Sequence, residues 1–153
     1  MPGFETQLQF NLAIGGALVA ATVLVHFWGL FALSWLMNRH GHRLRPHASH
    51  FRQMTAILLV VFGIFLLHCI EIWLYALLYL GIGEMDALEE ALYFSTACFT
   101  TLGFGDLVLT PRWRLVSAIE GANGWILFAW STAFLLAVTG KLRLLEHRWL
   151  DRE

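Results

Sequence analysis

Thr100-Thr101-Leu102-Gly103-Phe104-Gly105-Asp106 decides how this chain is read, because it alternates glycine with bulky apolar residues between an amphipathic stretch and a long apolar run. Gly103 and Gly105 enter the left-handed region of backbone space without the steric penalty of a Cβ. Successive peptide carbonyls can then turn toward one axis. The side chains of Leu102 and Phe104 must point away from that axis, and they are expected to pack behind the strand as spacers. The Thr101 hydroxyl is placed to add one more oxygen at the inner end.

The heptapeptide resembles the potassium-channel signature T-T-V-G-Y-G-D, with Leu102 for Val and Phe104 for Tyr. Immediately before it, Ala91 to Phe99 fills the place of that family's short pore helix. Tyr93 and Phe94 are similar to the aromatic cuff that braces the filter in bacterial members, and the likeness runs unbroken from Ala91 to Asp106. By itself a G-x-G stretch also suits an ordinary Gly-rich turn.

The resemblance implies a filter of Thr101, Leu102, Gly103, Phe104 and Gly105, with support from Thr100, Asp106, Tyr93 and Phe94. Dehydrated K+ would be held by the backbone carbonyls of Thr101, Leu102, Gly103 and Phe104, and by the Thr101 hydroxyl. The chain supplies one pore loop where the family's filter needs four, so a homotetramer is implied. K+ is the expected permeant ion, ions pass without chemical reaction, and neither an organic cofactor nor a nucleic-acid partner is expected. Replacing Tyr by Phe removes a hydroxyl that commonly tethers the filter wall. A weakly selective cation channel and a non-conducting membrane subunit therefore stay open as alternatives.

Composition points to the bilayer independently. Of 153 residues, 58% are hydrophobic and 14% charged, with seven tryptophans, and the mean hydropathy is +0.64. Three charge-poor runs, Leu8 to Met37, Met54 to Leu80 and Leu115 to Gly140, exceed the roughly 20 helical residues that cross a hydrocarbon core. The expected fold class is an all-α membrane protein with three transmembrane helices and a re-entrant pore helix and filter loop between the second and third.

Basic residues set the expected orientation. Arg39, Arg43, Arg45 and Arg52 cluster between the first two spans, and Lys141, Arg143, Arg148 and Arg152 follow the third. Glu84, Asp86, Glu89, Glu90 and Asp106 lie between the second and third. The N-terminus is thus expected outside a cell membrane and the C-terminus in the cytoplasm, with the loop entering from outside. Arg112 and Arg114 run against the rule and are expected to snorkel or pair with an acid. The outer acids read as solvated charges that make the mouth negative. A cleaved signal peptide is not expected, since the first apolar run is long and lacks a basic leader.

The expected organisation is an outer segment and peripheral helix over 1–37, a basic, His-rich cytosolic linker over 38–53, a pore domain over 54–140 and a short tail over 141–153. Within the pore domain, the outer helix takes 54–81, the pore helix 88–99, the filter 100–106 and the inner helix 114–140. Membrane lipids are the expected surroundings, and anionic lipids the favoured neighbours of the linker with His40, His42, His47 and His50. Cys69 and Cys98 read as buried small hydrophobes.

Gly124 lies ten residues after Arg114, which corresponds to the family's inner-helix glycine once one residue is deleted. Helical spacing then puts Gly124, Phe128, Thr132 and Leu136 on one face, the expected cavity wall and hinge, although close helix packing explains Gly124 equally well. Glu71 and Glu120 fall inside apolar spans, where a charge costs about 2.5 to 3.5 kcal/mol and demands a partner or a proton. Glu120, roughly 10 Å below the outer end of its helix, and with it Glu71, is expected to support the filter from behind. Intramembrane His26 and His68 read as hydrogen-bonded packing residues; a haem-ligating pair would require facing helices at matched depth.

Overall fold

The computed structural model describes residues 2–40 and 50–141. Four helices follow one another: α1 (Pro2–His40), α2 (His50–Gly81), α3 (Leu88–Phe99) and α4 (Arg114–Lys141). Three of them, over Glu5–Arg39, Gln53–Gly81 and Arg114–Gly140, are long and apolar enough to cross a membrane. No strand occurs among the described residues. The protein is an all-α membrane protein.

Helix reaches further than the expected connector allowed, since α1 continues to His40 and α2 begins at His50. The linker residues His42, Arg43, Arg45 and His47, and the tail residues Arg143, Arg148 and Arg152, lie outside the described residues.

The chain's punctuation positions the short helix. At the end of α2, Gly83 takes φ +74°, while Glu84 N–H donates to the Tyr79 carbonyl at 3.0 Å and Gly83 N–H to that of Leu80 at 3.1 Å. This paired closure halts the helix and satisfies two of its last carbonyls. After a short connecting segment the chain continues as α3, whose first turn carries Glu89 and Glu90 at the positive end of the helix dipole. It packs between α2 and α4 and buries Ala91, Phe94, Ser95, Ala97 and Phe99. The upper core gathers Tyr75, Tyr79, Phe94, Phe99, Trp113, Val116 and Leu127. A lower core of Leu30, Val60, Ile64, Leu67 and Val138 joins α1, α2 and α4.

Lipid offers α1 no hydrophobic reason to prefer protein, so its polar contacts matter for docking. At the top, Asn11 Nδ2 donates to the Arg112 carbonyl at 2.7 Å, and Arg112 Nε donates to Gln7 Oε1 at 3.1 Å. Arg112 therefore pairs with an amide and lies over the Trp113 ring, where an acid was one expected partner. In the middle, Asn123 Nδ2 reaches Thr22 Oγ1 at 2.7 Å and Tyr75 Oη at 3.3 Å. Deeper still, His26 meets Glu71. α1 is thus fastened at three levels, to the segment just before α4, to α4 itself and to α2.

Candidate functional site

The loop after α3 owes its shape to the way that helix ends. Thr100 N–H still bonds the Thr96 carbonyl at 3.0 Å, Thr101 N–H turns to that of Cys98 at 2.9 Å, and Gly103 N–H reaches back to that of Ala97 at 3.0 Å. Beyond this point φ is positive at every second residue: Thr101 (+60°), Gly103 (+50°) and Gly105 (+79°). Such alternation turns each peptide plane back on its predecessor, which a column of carbonyls on one side requires. Two of these positions are glycines, as the sequence led us to expect. Thr101 is not, and its left-handed backbone is a strain of the kind concentrated at functional sites.

Leu102 and Phe104 were expected to pack behind this strand. Within one chain they do not: 62% of Leu102 and 64% of Phe104 is exposed. One copy of the loop has no wall behind it. Among the described residues the aromatic neighbour of Phe104 is Tyr93 of α3, stacked at 6.3 Å with planes 13° apart. The same Tyr93 donates its hydroxyl to Asp106 Oδ2 at 2.8 Å, so one side chain braces both the middle and the outer end of the strand. That hydrogen bond holds the Asp106 carboxyl below its ordinary range and pushes the Tyr93 phenol up. Phe94 faces the other way, buried against Tyr79 at 5.2 Å.

Behind α3 stands Glu120 of α4, fully buried. Its Oε1 is 2.5 Å from Ser95 Oγ, and its Oε2 accepts from the Tyr79 hydroxyl at 2.5 Å. Ser95 Oγ is also 2.9 Å from the Ile72 carbonyl. A serine has one hydrogen and the carbonyl can only accept, so both contacts are hydrogen bonds only if Glu120 brings a proton of its own. The group therefore pins the inner helix, the pore helix and the outer helix together. Ser95 and Tyr79 escaped the sequence reading; their only signal was a hydroxyl in an otherwise apolar helix.

The base of the loop rests on α4. A Cβ at Gly124 would meet the Phe99 carbonyl oxygen at a distance no real side chain tolerates, and one at Gly121 would lie 3.2 Å from the Cys98 carbonyl. These two glycines let the inner helix pass directly against the last carbonyls of the pore helix. Phe128, one turn on, sets its ring edge-to-face with Phe99 at 5.5 Å and tilted against His68 at 4.5 Å.

A family model described as "Ion channel" matches residues 54–141, more than half of the chain and the whole stretch from the start of the second span to the end of the third. The chain belongs to this ion channel family. No curated protein matches, and neither does any solved structure.

Within one subunit the four residues of the expected cavity face have different surroundings. Gly124 and Phe128 look into the subunit, toward Phe99, because the pore helix ends there. Thr132 is exposed with its hydroxyl turned back to the Phe128 carbonyl at 2.8 Å, and Leu136 is 65% exposed. Ala122, Ala129 and Ala133 are exposed as well, so the open surface of this channel's inner helix takes in Thr132 and Leu136 while Gly124 lies buried.

Glu71 has partners of its own. It makes no hydrogen bond to the pore helix or loop among the described contacts; both its oxygens face histidines, His26 Nδ1 at 2.8 Å and His68 Nδ1 at 2.8 Å. The two rings do lie on facing helices at one depth, with centroids 5.5 Å apart. Glu71 on one edge and Ser131 on the other fill the space around their nitrogens, which leaves no slot for a porphyrin. Glu84, read as a solvated charge, instead accepts from Thr110 N–H at 2.8 Å and Thr110 Oγ1 at 2.7 Å, tying the end of α2 to the approach of α4.

Proposed function

We propose that this channel conducts potassium selectively, as a homotetramer in which four copies of the 100–106 loop face one axis. The observation that carries the proposal is the alternation of positive φ at Thr101, Gly103 and Gly105 at the end of a buried pore helix. Backbone oxygens of Thr101, Leu102, Gly103 and Phe104, with the Thr101 hydroxyl, would replace the hydration shell of K+ in single file. The carbonyl end of α3 points its negative dipole toward the inner end of that queue, which favours a waiting cation. Exposed Leu102 and Phe104 would be covered by neighbouring subunits.

Phe104 lacks the hydroxyl of the family's Tyr, and Tyr93 compensates in this chain. Its ring stacks on Phe104 and its hydroxyl holds Asp106, so the outer loop has a tether from its own pore helix. This favours a selective pore over the weakly selective alternative. In the proposed orientation the N-terminus is outside the cell membrane, the C-terminus is cytoplasmic, and Asp106 faces out among lipids and solvent.

The test is the reversal potential of protein reconstituted alone into liposomes under opposed K+ and Na+ gradients. A potential near the K+ equilibrium value supports the proposal. One midway between the two ions would establish a weakly selective cation pore, and absence of flux from correctly assembled protein would identify a non-conducting subunit.

A further inference from the structure

Glu71 is completely buried, and so is the problem it poses. Four contacts close a ring of four side chains around it: His26 Nδ1 to Glu71 Oε1 at 2.8 Å, His68 Nδ1 to Glu71 Oε2 at 2.8 Å, His26 Nε2 to Ser131 Oγ at 3.4 Å, and His68 Nε2 to Ser131 Oγ at 3.1 Å. Each contact needs a hydrogen. A carboxylate has none, so both Nδ1 atoms must carry theirs, and a neutral imidazole then has a bare Nε2. Ser131 can donate its one hydrogen to only one of the two. Neutral histidines leave one contact as two lone pairs facing each other in the interior of the bilayer, where an unmet polar group is costly.

We infer that His26, Glu71, His68 and Ser131 form a buried proton-binding site in which one excess proton is shared between the two imidazoles through the serine hydroxyl. With that proton every contact is a hydrogen bond. One imidazole gives its Nε2 hydrogen to Ser131 Oγ while Ser131 gives its own to the other Nε2. Moving both hydrogens one step exchanges the roles of the rings, and no atom is gained or lost. The cluster then holds one imidazolium and one carboxylate and has no net charge, which a bilayer interior tolerates better than a lone carboxylate.

The surroundings agree. Aromatic faces flank both rings: Trp130 lies 5.2 Å from His26, Phe128 4.5 Å from His68 and Phe99 5.8 Å from it, within the range at which a ring attracts a cation. The groups facing the cluster are Phe99 on α3 and Phe128 and Trp130 on α4, with Tyr75 of α2 near Glu71. Of these only Tyr75 titrates, and it stands within electrostatic reach of both Glu71 and Glu120. Cys98 is the next titratable group, beside Phe99 on α3. The donors His26, His68 and Glu71 also lie within 4.8 Å of one another, a spread that a divalent metal can close. The proton is favoured because it completes all four contacts at the distances found. The site locks α1 to the pore domain and, through His68, touches the residue on which the 100–106 loop begins.

The test is nitrogen-15 NMR of protein labelled at histidine, in lipid bilayers at neutral pH, with His40, His42, His47, His50 and His147 replaced by Gln so that two rings remain. Both Nδ1 signals should report N–H. The two Nε2 signals should sit between bonded and bare values and sum to one hydrogen. Ser131→Ala should separate them into one imidazolium and one neutral ring, and Glu71→Gln should leave both rings neutral. Two bare Nε2 atoms, two full imidazoliums, or one zinc or cobalt ion per subunit by elemental analysis would overturn the inference. Averaging that survives Ser131→Ala would overturn the relay. If Ser131→Ala does not fold, the parent spectrum alone still decides the proton count. The readout needs no ion flux, so it stands apart from the conduction proposal.

Discussion

Glu120 of the inner helix and Ser95 of the pore helix approach to 2.5 Å with both side chains fully buried. Because Ser95 also bonds Ile72 and Tyr79 bonds the far oxygen, this carboxyl acts as a three-way pin. Glu120→Gln keeps an acceptor for Tyr79 and a donor for Ser95, and should leave thermal stability in detergent within about 1 kcal/mol of the parent. Glu120→Ala strands the Tyr79 hydroxyl and removes one of the two partners of Ser95, and should cost about 2 to 4 kcal/mol, with loss of flux. Equal melting temperatures for all three proteins would show that the pin carries no load, and unchanged gating and selectivity in Glu120→Gln would leave ionisation of Glu120 without a part in gating.

The bond between Tyr93 and Asp106 has a readable pH dependence. Asp106 is held below its ordinary range by that bond, so the tether is fully present above the usual carboxylate range and is lost as pH falls through the depressed value. Tyr93→Phe removes it at every pH. The acid limb of the flux profile should then move upward, toward the normal titration of an aspartate. An acid limb that does not move would separate Asp106 from the conducting state.

Gly124→Ala forces a methyl group into the Phe99 carbonyl, which is backbone and cannot swing aside. A cost of about 1 to 3 kcal/mol is expected, with reduced flux. Gly121→Ala meets the Cys98 carbonyl at 3.2 Å and should be milder. Thermal melts of the two variants side by side test the order.

Glu84→Ala unties Thr110 from α2 and should lower stability by about 1 kcal/mol. Glu89→Ala, on the exposed first turn of α3, removes a helix-dipole partner and should cost a few tenths of that, about 0.3 kcal/mol. Hydrogen exchange at the Thr110 amide gives a direct check, since it should quicken only in the first variant.

Much of this architecture is written in local pattern. Long apolar runs, and the positions of Gly83, Pro111 and the filter glycines, suffice to place three long helices and a short one, because bilayer thickness and backbone sterics act on each segment separately. The loop's glycines were legible for the same reason. Partners were not. Nothing in the spacing of Glu71 says that it faces His26 from 45 positions earlier, and nothing about Glu120 names Ser95 and Tyr79; those pairings arise only when helices pack. An i, i+4 row through Gly124 says which residues share a side, and not that Gly124 and Phe128 meet Phe99 while Thr132 and Leu136 stand open. Thr101 shows the limit of reading glycine alone, since a left-handed backbone was imposed on a β-branched residue by its surroundings.

The fastening of α1 at His26 bears on how the protein is made. A second span entering the bilayer by itself would bring Glu71 into hydrocarbon with only His68, its neighbour on the same helix. Synthesis runs from the N-terminus, so His26 is already seated when Glu71 arrives. The first helix is therefore the insertion partner of the second, and a gene shortened to begin at the pore domain would deliver that glutamate to the translocon without its earlier-made companion.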